Sequence, residues 1–283
     1  MIRTILFPVD FSTESSDVLS CAGELKNVGL EKVILLHVVD IYKAQGLAPM
    51  FERNAKEKIE EYRKVLEEMD IDSSTLVVQG DVKKTIASVA EDEGVDCIIM
   101  GATTGGFIRG RLMGRTTEYI SRTSSKMVLI EKYDHFREED ELYIKACSAK
   151  FSRVLLPMDF SRNSKKALDE IEHLSDIIHE LILMHVIERA RSPEELEEIK
   201  EDALKSLRDL GQRFEDKLDV EYQVAEGNPS ESIDRFAEET DVTLIAVTTH
   251  GKGSFKDILL GSTAENLLRR TLKPVLLIPA GKR

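Results

Sequence analysis

Ile5-Leu-Phe-Pro-Val-Asp-Phe-Ser12 returns later in the chain as Val154-Leu-Leu-Pro-Met-Asp-Phe-Ser161. In each, a short apolar run meets Pro and Asp. Working outward, the repetition continues. Ile34-Leu-Leu-His-Val-Val is matched by Ile182-Leu-Met-His-Val-Ile, Gly80 by Gly227, and Cys97-Ile-Ile-Met by Leu244-Ile-Ala-Val. Leu112-Met-Gly-Arg-Thr-Thr-Glu is matched by Leu259-Leu-Gly-Ser-Thr-Ala-Glu, and Lys126-Met-Val-Leu by Lys273-Pro-Val-Leu. The offset drifts only from 149 residues (Ile5 to Val154) to 147 (Lys126 to Lys273). A period this long marks a duplicated domain, not the 20–50-residue units of a solenoid.

Each copy reads β-α-β-α-β-α-β-α-β. Strands are expected near 3–9, 32–39, 73–79, 95–101 and 126–131, and again near 153–159, 180–187, 219–226, 242–248 and 274–279. Val33-Ile-Leu-Leu-His-Val-Val is a continuous apolar run, as befits a parallel strand covered on both faces. Long charged helices are expected near 52–69 and 193–217. Asn228-Pro-Ser-Glu is a helix start, with a capping Asn, a Pro in the first turn and Glu three residues on. The alternation predicts an α/β chain of two tandem doubly wound five-stranded parallel sheets, Rossmann-like, over 1–131 and 151–283. The polar stretch 132–150 has no counterpart in the second copy and reads as a linker.

Composition narrows the function classes. The 283 residues carry a net charge of −13 and a pI near 5.1, with 42% hydrophobic and 32% charged residues. That balance argues against non-specific nucleic-acid binding and against an anionic membrane surface. No run of about 18 apolar residues is present, and the opening Met1-Ile-Arg-Thr-Ile-Leu-Phe-Pro lacks a signal-peptide core, so a cytoplasmic location is expected. Cys21, Cys97 and Cys147 show no C-x-x-C spacing, which disfavours a disulfide framework or zinc site. No Walker A loop occurs. A phosphoacceptor receiver domain is also disfavoured: Gln79-Gly80 and Glu226-Gly227 end the third strands where an Asp is needed, and Lys126 and Lys273 precede the fifth strands.

Open parallel sheets bind ligands beyond the carboxyl ends of their strands, where the strand order reverses. Asp10 and Asp159 follow the first strands. Val38 and Val186 each follow a strand-two His, His37 or His185, and a His in an apolar strand is ordinarily a satisfied core residue. After the fourth strand of the second copy comes Thr248-Thr-His-Gly-Lys-Gly-Ser-Phe-Lys-Asp-Ile-Leu-Leu-Gly-Ser-Thr-Ala-Glu. Its glycines permit close backbone approach, and Gly261-Ser262-Thr263 opens a helix whose free N–H groups suit an anion. Asp10 and Asp159 also fit a plainer role, closing the turn into the first helix.

These loops resemble those of the universal stress protein family, over nearly the whole chain. The family's nucleotide-binding members carry G-x2-G-x9-G-[S/T] after strand four. The second copy has Gly251, Gly261 and Ser262 but Thr248 at the first glycine; the first copy has Gly101 and Gly114 but Thr104 and Arg115 at the other two positions. The resemblance implies an adenine-nucleotide α-hydrolase-like fold and an adenine nucleotide, ATP or AMP, with Mg²⁺ as an optional companion. It implies contacts from Pro157, Asp159, Val186, Val247, Thr248, His250, Gly251, Gly261, Ser262 and Thr263 in the second copy. The equivalents in the first are Asp10, Val38, Gly101, Thr103, Gly114, Arg115 and Thr116. Arg115 either fills the phosphate pocket or binds phosphate itself. On motif completeness the second copy is the better site.

The expected function is a nucleotide-binding stress-response regulator acting on an unknown protein partner. The alternatives are a nucleotide-free interaction scaffold with degenerate pockets and a slow ATPase, the last weakened by the lack of a dedicated base. Family members pair through strand five, so the resemblance implies that the two repeats pair as an intrachain pseudo-dimer, with a homodimer as a further step.

Overall fold

The computed structural model describes residues 2–12, 19, 22–26, 29–103, 113–133, 149–250 and 260–280. Among these, the residues through Tyr133 form one compact unit and those from Ala149 onward a second.

In the first unit, β1 (Thr4–Pro8), β2 (Lys32–Asp40), β3 (Asp72–Gly80), β4 (Cys97–Thr103) and β5 (Met127–Tyr133) lie in the order β3-β2-β1-β4-β5. The pairings are parallel: Ile5 faces Val33 on one side and Cys97 on the other. β1 pairs with β2 on one flank and β4 on the other, so the order reverses between β1 and β4, and this is the switch point. The helices are α1 (Ala22–Lys26), α2 (Ala48–Glu68), α3 (Val82–Asp92) and α4 (Arg115–Thr123). Ile5, Leu6, Ile34, Leu35, Leu36 and Ile98 are buried to 1% exposure or less. Truncating any one of these to Ala removes apolar contact on a closed site and costs about 2–5 kcal/mol.

The second unit repeats the plan: β6 (Arg153–Pro157), β7 (Glu180–Ile187), β8 (Asp219–Glu226), β9 (Leu244–Thr248) and β10 (Val275–Ile278), in the order β8-β7-β6-β9-β10. Its helices are α5 (Arg162–Glu172), α6 (Pro193–Gly211), α7 (Pro229–Glu239) and α8 (Ser262–Arg270). A 3-10 turn, Gln212–Phe214, follows α6. Both units are doubly wound α/β domains, as the β/α alternation implies.

Two helix boundaries differ from expectation. α2 begins at Ala48, four residues early, because Pro49 sits in its first turn, where a missing N–H costs nothing. α6 stops at Gly211, not near 217. The segment expected to be a linker begins as strand, since β5 runs through Tyr133, and residues 134–148 lie outside those described. Among the described residues no helix is long and apolar enough to cross a membrane.

Candidate functional site

At the switch point of the first domain lies a cavity of about 610 Å³. Small-molecule sites run roughly 300–1,000 Å³. Its floor comes from the carboxyl ends of three strands: Pro8, Val9 and Asp10 after β1, His37, Val38 and Asp40 on β2, and Met100, Gly101 and Ala102 on β4. Gly114, Arg115, Thr116 and Thr117 at the start of α4 also line it, with Val82 and Ile86 from α3. Of the residues expected in this domain, Asp10, Val38, Gly101, Gly114, Arg115 and Thr116 are thus brought together, and Thr103 is the last residue of β4.

Each end of the cavity has a local cause. Asp10 closes an Asx turn: its Oδ1 accepts the Ser12 N–H at 3.0 Å and the Ser12 hydroxyl at 2.6 Å. The residues after Ser12 that would form the turn into the first helix, 13–18, lie outside those described. In the second domain Asp159 does the same for the Ser161 N–H at 3.0 Å, while the N-cap of α5 is Ser161 itself, bonded to the Ser164 N–H. His37 is held beneath this turn. Its Nδ1 lies 2.8 Å from the Val9 carbonyl, which can only accept, so Nδ1 carries the hydrogen. Burial pushes the pKa of His37 below 6.5, against the opposing pull of that carbonyl and of Asp10. It lines the cavity as a neutral ring. His185 makes the same contact, 2.7 Å to the Met158 carbonyl. The reading of both as satisfied core histidines fits these bonds.

The start of α4 has no side-chain cap, as is also true of α2 and α8. α3, α5, α6 and α7 are capped by side chains: Asp81, Ser161, Ser192 and Asn228 each accept an N–H from the first turn. α4 and α8 instead begin at glycines, Gly114 and Gly261, with no side-chain cap. A first turn with no side-chain cap offers N–H groups that suit an anion. Gly114 has φ −55° and ψ 149°, which any residue can adopt, and a Cβ there would meet only Thr117 Oγ1 at 4.0 Å. The fold does not require glycine at 114; the open space of the cavity is what it preserves. Thr117 Oγ1 donates to the Gly101 carbonyl at 3.1 Å and ties the start of α4 to the end of β4.

The second domain places its expected residues in matching positions. Pro157 ends β6, Val186 lies in β7, Val247 and Thr248 end β9, and Gly261, Ser262 and Thr263 begin α8. The turn after β9 is pinned: the Gly261 N–H donates to the Thr249 carbonyl at 2.7 Å, and Asn163 Nδ2 and Thr248 Oγ1 both donate to the His250 carbonyl at 3.1 Å. The His250 ring is anchored by Nδ1, 2.9 Å from Thr249 Oγ1, and its Nε2 is buried without a partner among the described residues. Gly251 lies outside the described residues, as does Thr104 of the first domain. The preference for the second copy thus rests on a loop that is not described, while the described cavity is in the first.

Sequence reasoning missed Asp40, Lys43, Val82, Ile86 and Thr117 as cavity residues. For Val82 and Ile86 a signal existed: they stand four apart on a helix that begins directly after Gly80-Asp81. Lys43 carried none, because its position follows from a turn in which the Lys43 N–H bonds the Asp40 carbonyl.

Comparison with known proteins adds an independent line. A family model described as the universal stress protein family matches residues 1–132 and 150–279. Universal stress protein MJ0577 of Methanocaldococcus jannaschii is 32% identical over 155 residues, 47% of this chain and 96% of the relative. A universal stress protein of Mycolicibacterium smegmatis is 24% identical over 295 residues, covering 97% of this chain and 96% of its own. Among solved structures, a universal stress protein from Archaeoglobus fulgidus superimposes with a TM-score of 0.78 at 25% identity, covering 98% of each chain.

Proposed function

The chain belongs to the universal stress protein family, and from that premise we propose that it is a stress-response regulator that binds an adenine nucleotide, ATP or AMP, at the switch points of its domains. The observation that carries this reading is the first-domain cavity. It lies at the reversal of strand order and is bordered by a helix start with no side-chain cap and by Gly114, a glycine the backbone does not require.

The residues fit the ligand. Asp10 and the Val38 backbone stand at the strand end of the cavity, where base and ribose would lie. Gly101 on β4 and Gly114, Arg115 and Thr116 at the start of α4 are where N–H groups and a guanidinium suit phosphate oxygens. In the second domain Asp159, Val186, Val247, Thr248, His250, Gly261, Ser262 and Thr263 are proposed for the same work. A nucleotide supplies the anion that the open helix starts accept. The protein then reports occupancy to a partner.

The test is mass spectrometry of small molecules released from the denatured protein, followed by calorimetric titration with ATP, ADP and AMP. Up to two adenine nucleotides per chain are expected. Gly114→Val and Gly261→Val should each remove one site with little change in melting temperature. A native protein that neither carries nor takes up any of the three would overturn the proposal.

A further inference from the structure

We infer that Arg115 makes the first domain a reader of ligand charge, favouring nucleotides with two or three phosphates over the monophosphate, while the second domain lacks this preference. The inference rests on the nucleotide reading above.

It begins from a comparison of α4 with α8. Both helices are nine residues long. Both start at an uncapped glycine. Both carry the same pair one turn in, Glu118 with Arg122 and Glu265 with Arg269, each at 3.2 Å. They differ in charge at one described position of the first turn: Arg115 stands where the second domain has Ser262.

Arg115 is poorly placed for its own helix. The N-terminus of a helix carries partial positive charge, so a cation in the first turn is unfavourable there. No carboxylate among the described residues neutralises it. A residue that breaks a local rule while lining a cavity points to a ligand that supplies what the fold withholds. Here the missing element is an anion.

The rest of the lining decides how much that cation matters. Among the described residues, the titratable ones facing the cavity are Asp10, His37, Asp40, Lys43 and Arg115. His37 is held neutral by burial. Lys43 stands 3.8 Å from Asp40, its nearest counter-charge. The attraction of a fixed cation grows with the charge of its ligand, so it favours a tri- or diphosphate over a monophosphate. Guanidinium geometry adds a bidentate grip on phosphate oxygens.

The test is calorimetric titration of the full chain with ATP, ADP and AMP at fixed ionic strength, in the native protein, in Arg115→Ser and in Ser262→Arg. Arg115→Ser installs the residue that the second domain already tolerates at this place, so folding should be kept; equal melting temperatures check that. One charge-assisted bond to phosphate corresponds to roughly a ten- to hundredfold change in affinity. At the first site, Arg115→Ser should weaken ATP by about tenfold or more and AMP by much less, while Ser262→Arg should confer the same preference on the second site. Equal weakening of ATP and AMP would overturn the inference, as would tighter binding in Arg115→Ser, which would mean that the side chain fills the cavity. If the native protein binds none of the three, the nucleotide reading itself fails. If it binds them and only the charge preference is missing, the role given to Arg115 fails alone.

Discussion

Phe11 and Phe160 hold left-handed backbone, with φ of 62° and 59°. Such a conformation costs a non-glycine residue about 1–3 kcal/mol. Both rings lie over the strand-two histidines, Phe11 on His37 at 4.4 Å between centroids and Phe160 on His185 at 4.6 Å. The strain turns the chain so that the preceding Asp sits at the carboxyl end of the sheet and the aromatic ring shields the imidazole. The sequence displayed Asp-Phe-Ser twice, and the position of the Asp was legible from it. The backbone of the Phe was not, because nothing in an aromatic residue's propensity announces a positive φ. This arrangement has a titration signature. The folded pKa of His37 lies below its unfolded value of about 6.5, so its contribution to stability is complete above 6.5 and falls as the pH drops below that. Proton NMR should find the His37 ring titrating below 6.5, and Phe11→Ala, which uncovers the ring, should move the midpoint upward. A midpoint at or above 6.5 in the native protein would show that burial does not control this ring.

At the scale of elements, a helix start with a capping signature was legible. Asn228 accepts the Glu231 N–H as its spacing suggested. Helix ends were less so, and α6 shows why. It was expected to continue to 217, yet it ends at Gly211, where Tyr222 of β8 packs against the backbone. A Cβ on Gly211 would collide with the Tyr222 ring and its hydroxyl, which is buried and has no hydrogen-bond partner among the described residues. That contact joins positions from different elements, so no window of sequence around Gly211 contains it. Ala favours a helix over Gly by about 1 kcal/mol. Gly211→Ala should nonetheless destabilise the protein by about 1–3 kcal/mol, since overpacking wins; urea denaturation measures this, and a stabilised variant would refute the close approach.

A second element contact links α5 to the turn after α6. Glu172 receives Lys217 Nζ at 2.7 Å and Arg213 Nε at 2.7 Å, and Arg213 also bonds Asp169 at 2.8 Å. The Lys217 and Arg213 bonds lower the Glu172 pKa from 4.5 to about 2. A depressed carboxylate stabilises the fold above its unfolded pKa and loses that effect as the pH falls through the folded one. The site is partly exposed, so solvent screening holds its worth to about 1 kcal/mol or less. Glu172→Gln should therefore be less stable than the native protein at pH 7. The gap in melting temperature should close between about pH 4.5 and 2, and a gap that is constant with pH would rule out this linkage.

At the scale of the whole molecule, duplication was the most legible property, because two copies of one pattern test each other. The doubly wound parallel plan of each domain followed from the βα alternation. What stayed hidden was which copy offers the better site. Motif completeness favoured the second, since Gly251, Gly261 and Ser262 match where the first has Thr104 and Arg115. Yet the described cavity forms in the first, lined by Asp40, Lys43, Val82 and Ile86, none of which belongs to the motif. A motif records the backbone that touches a phosphate; a cavity is set by every element that leaves space, and those residues are scattered in sequence. Bound ligand stabilises the state that takes it up, by about 2.7 kcal/mol at a hundredfold excess over Kd, and slows exchange most at the amides it covers. Hydrogen exchange with and without ATP therefore reads the two domains separately. Protection is expected at the turn around Asp10 and the first turn of α4, and at the turn around Asp159 and the first turn of α8. The slowing of exchange in the first pair should weaken in Arg115→Ser, while that in the second should not. Protection confined to the second pair would return the better site to the copy that the motif favours, and would make Arg115 an obstruction in the first.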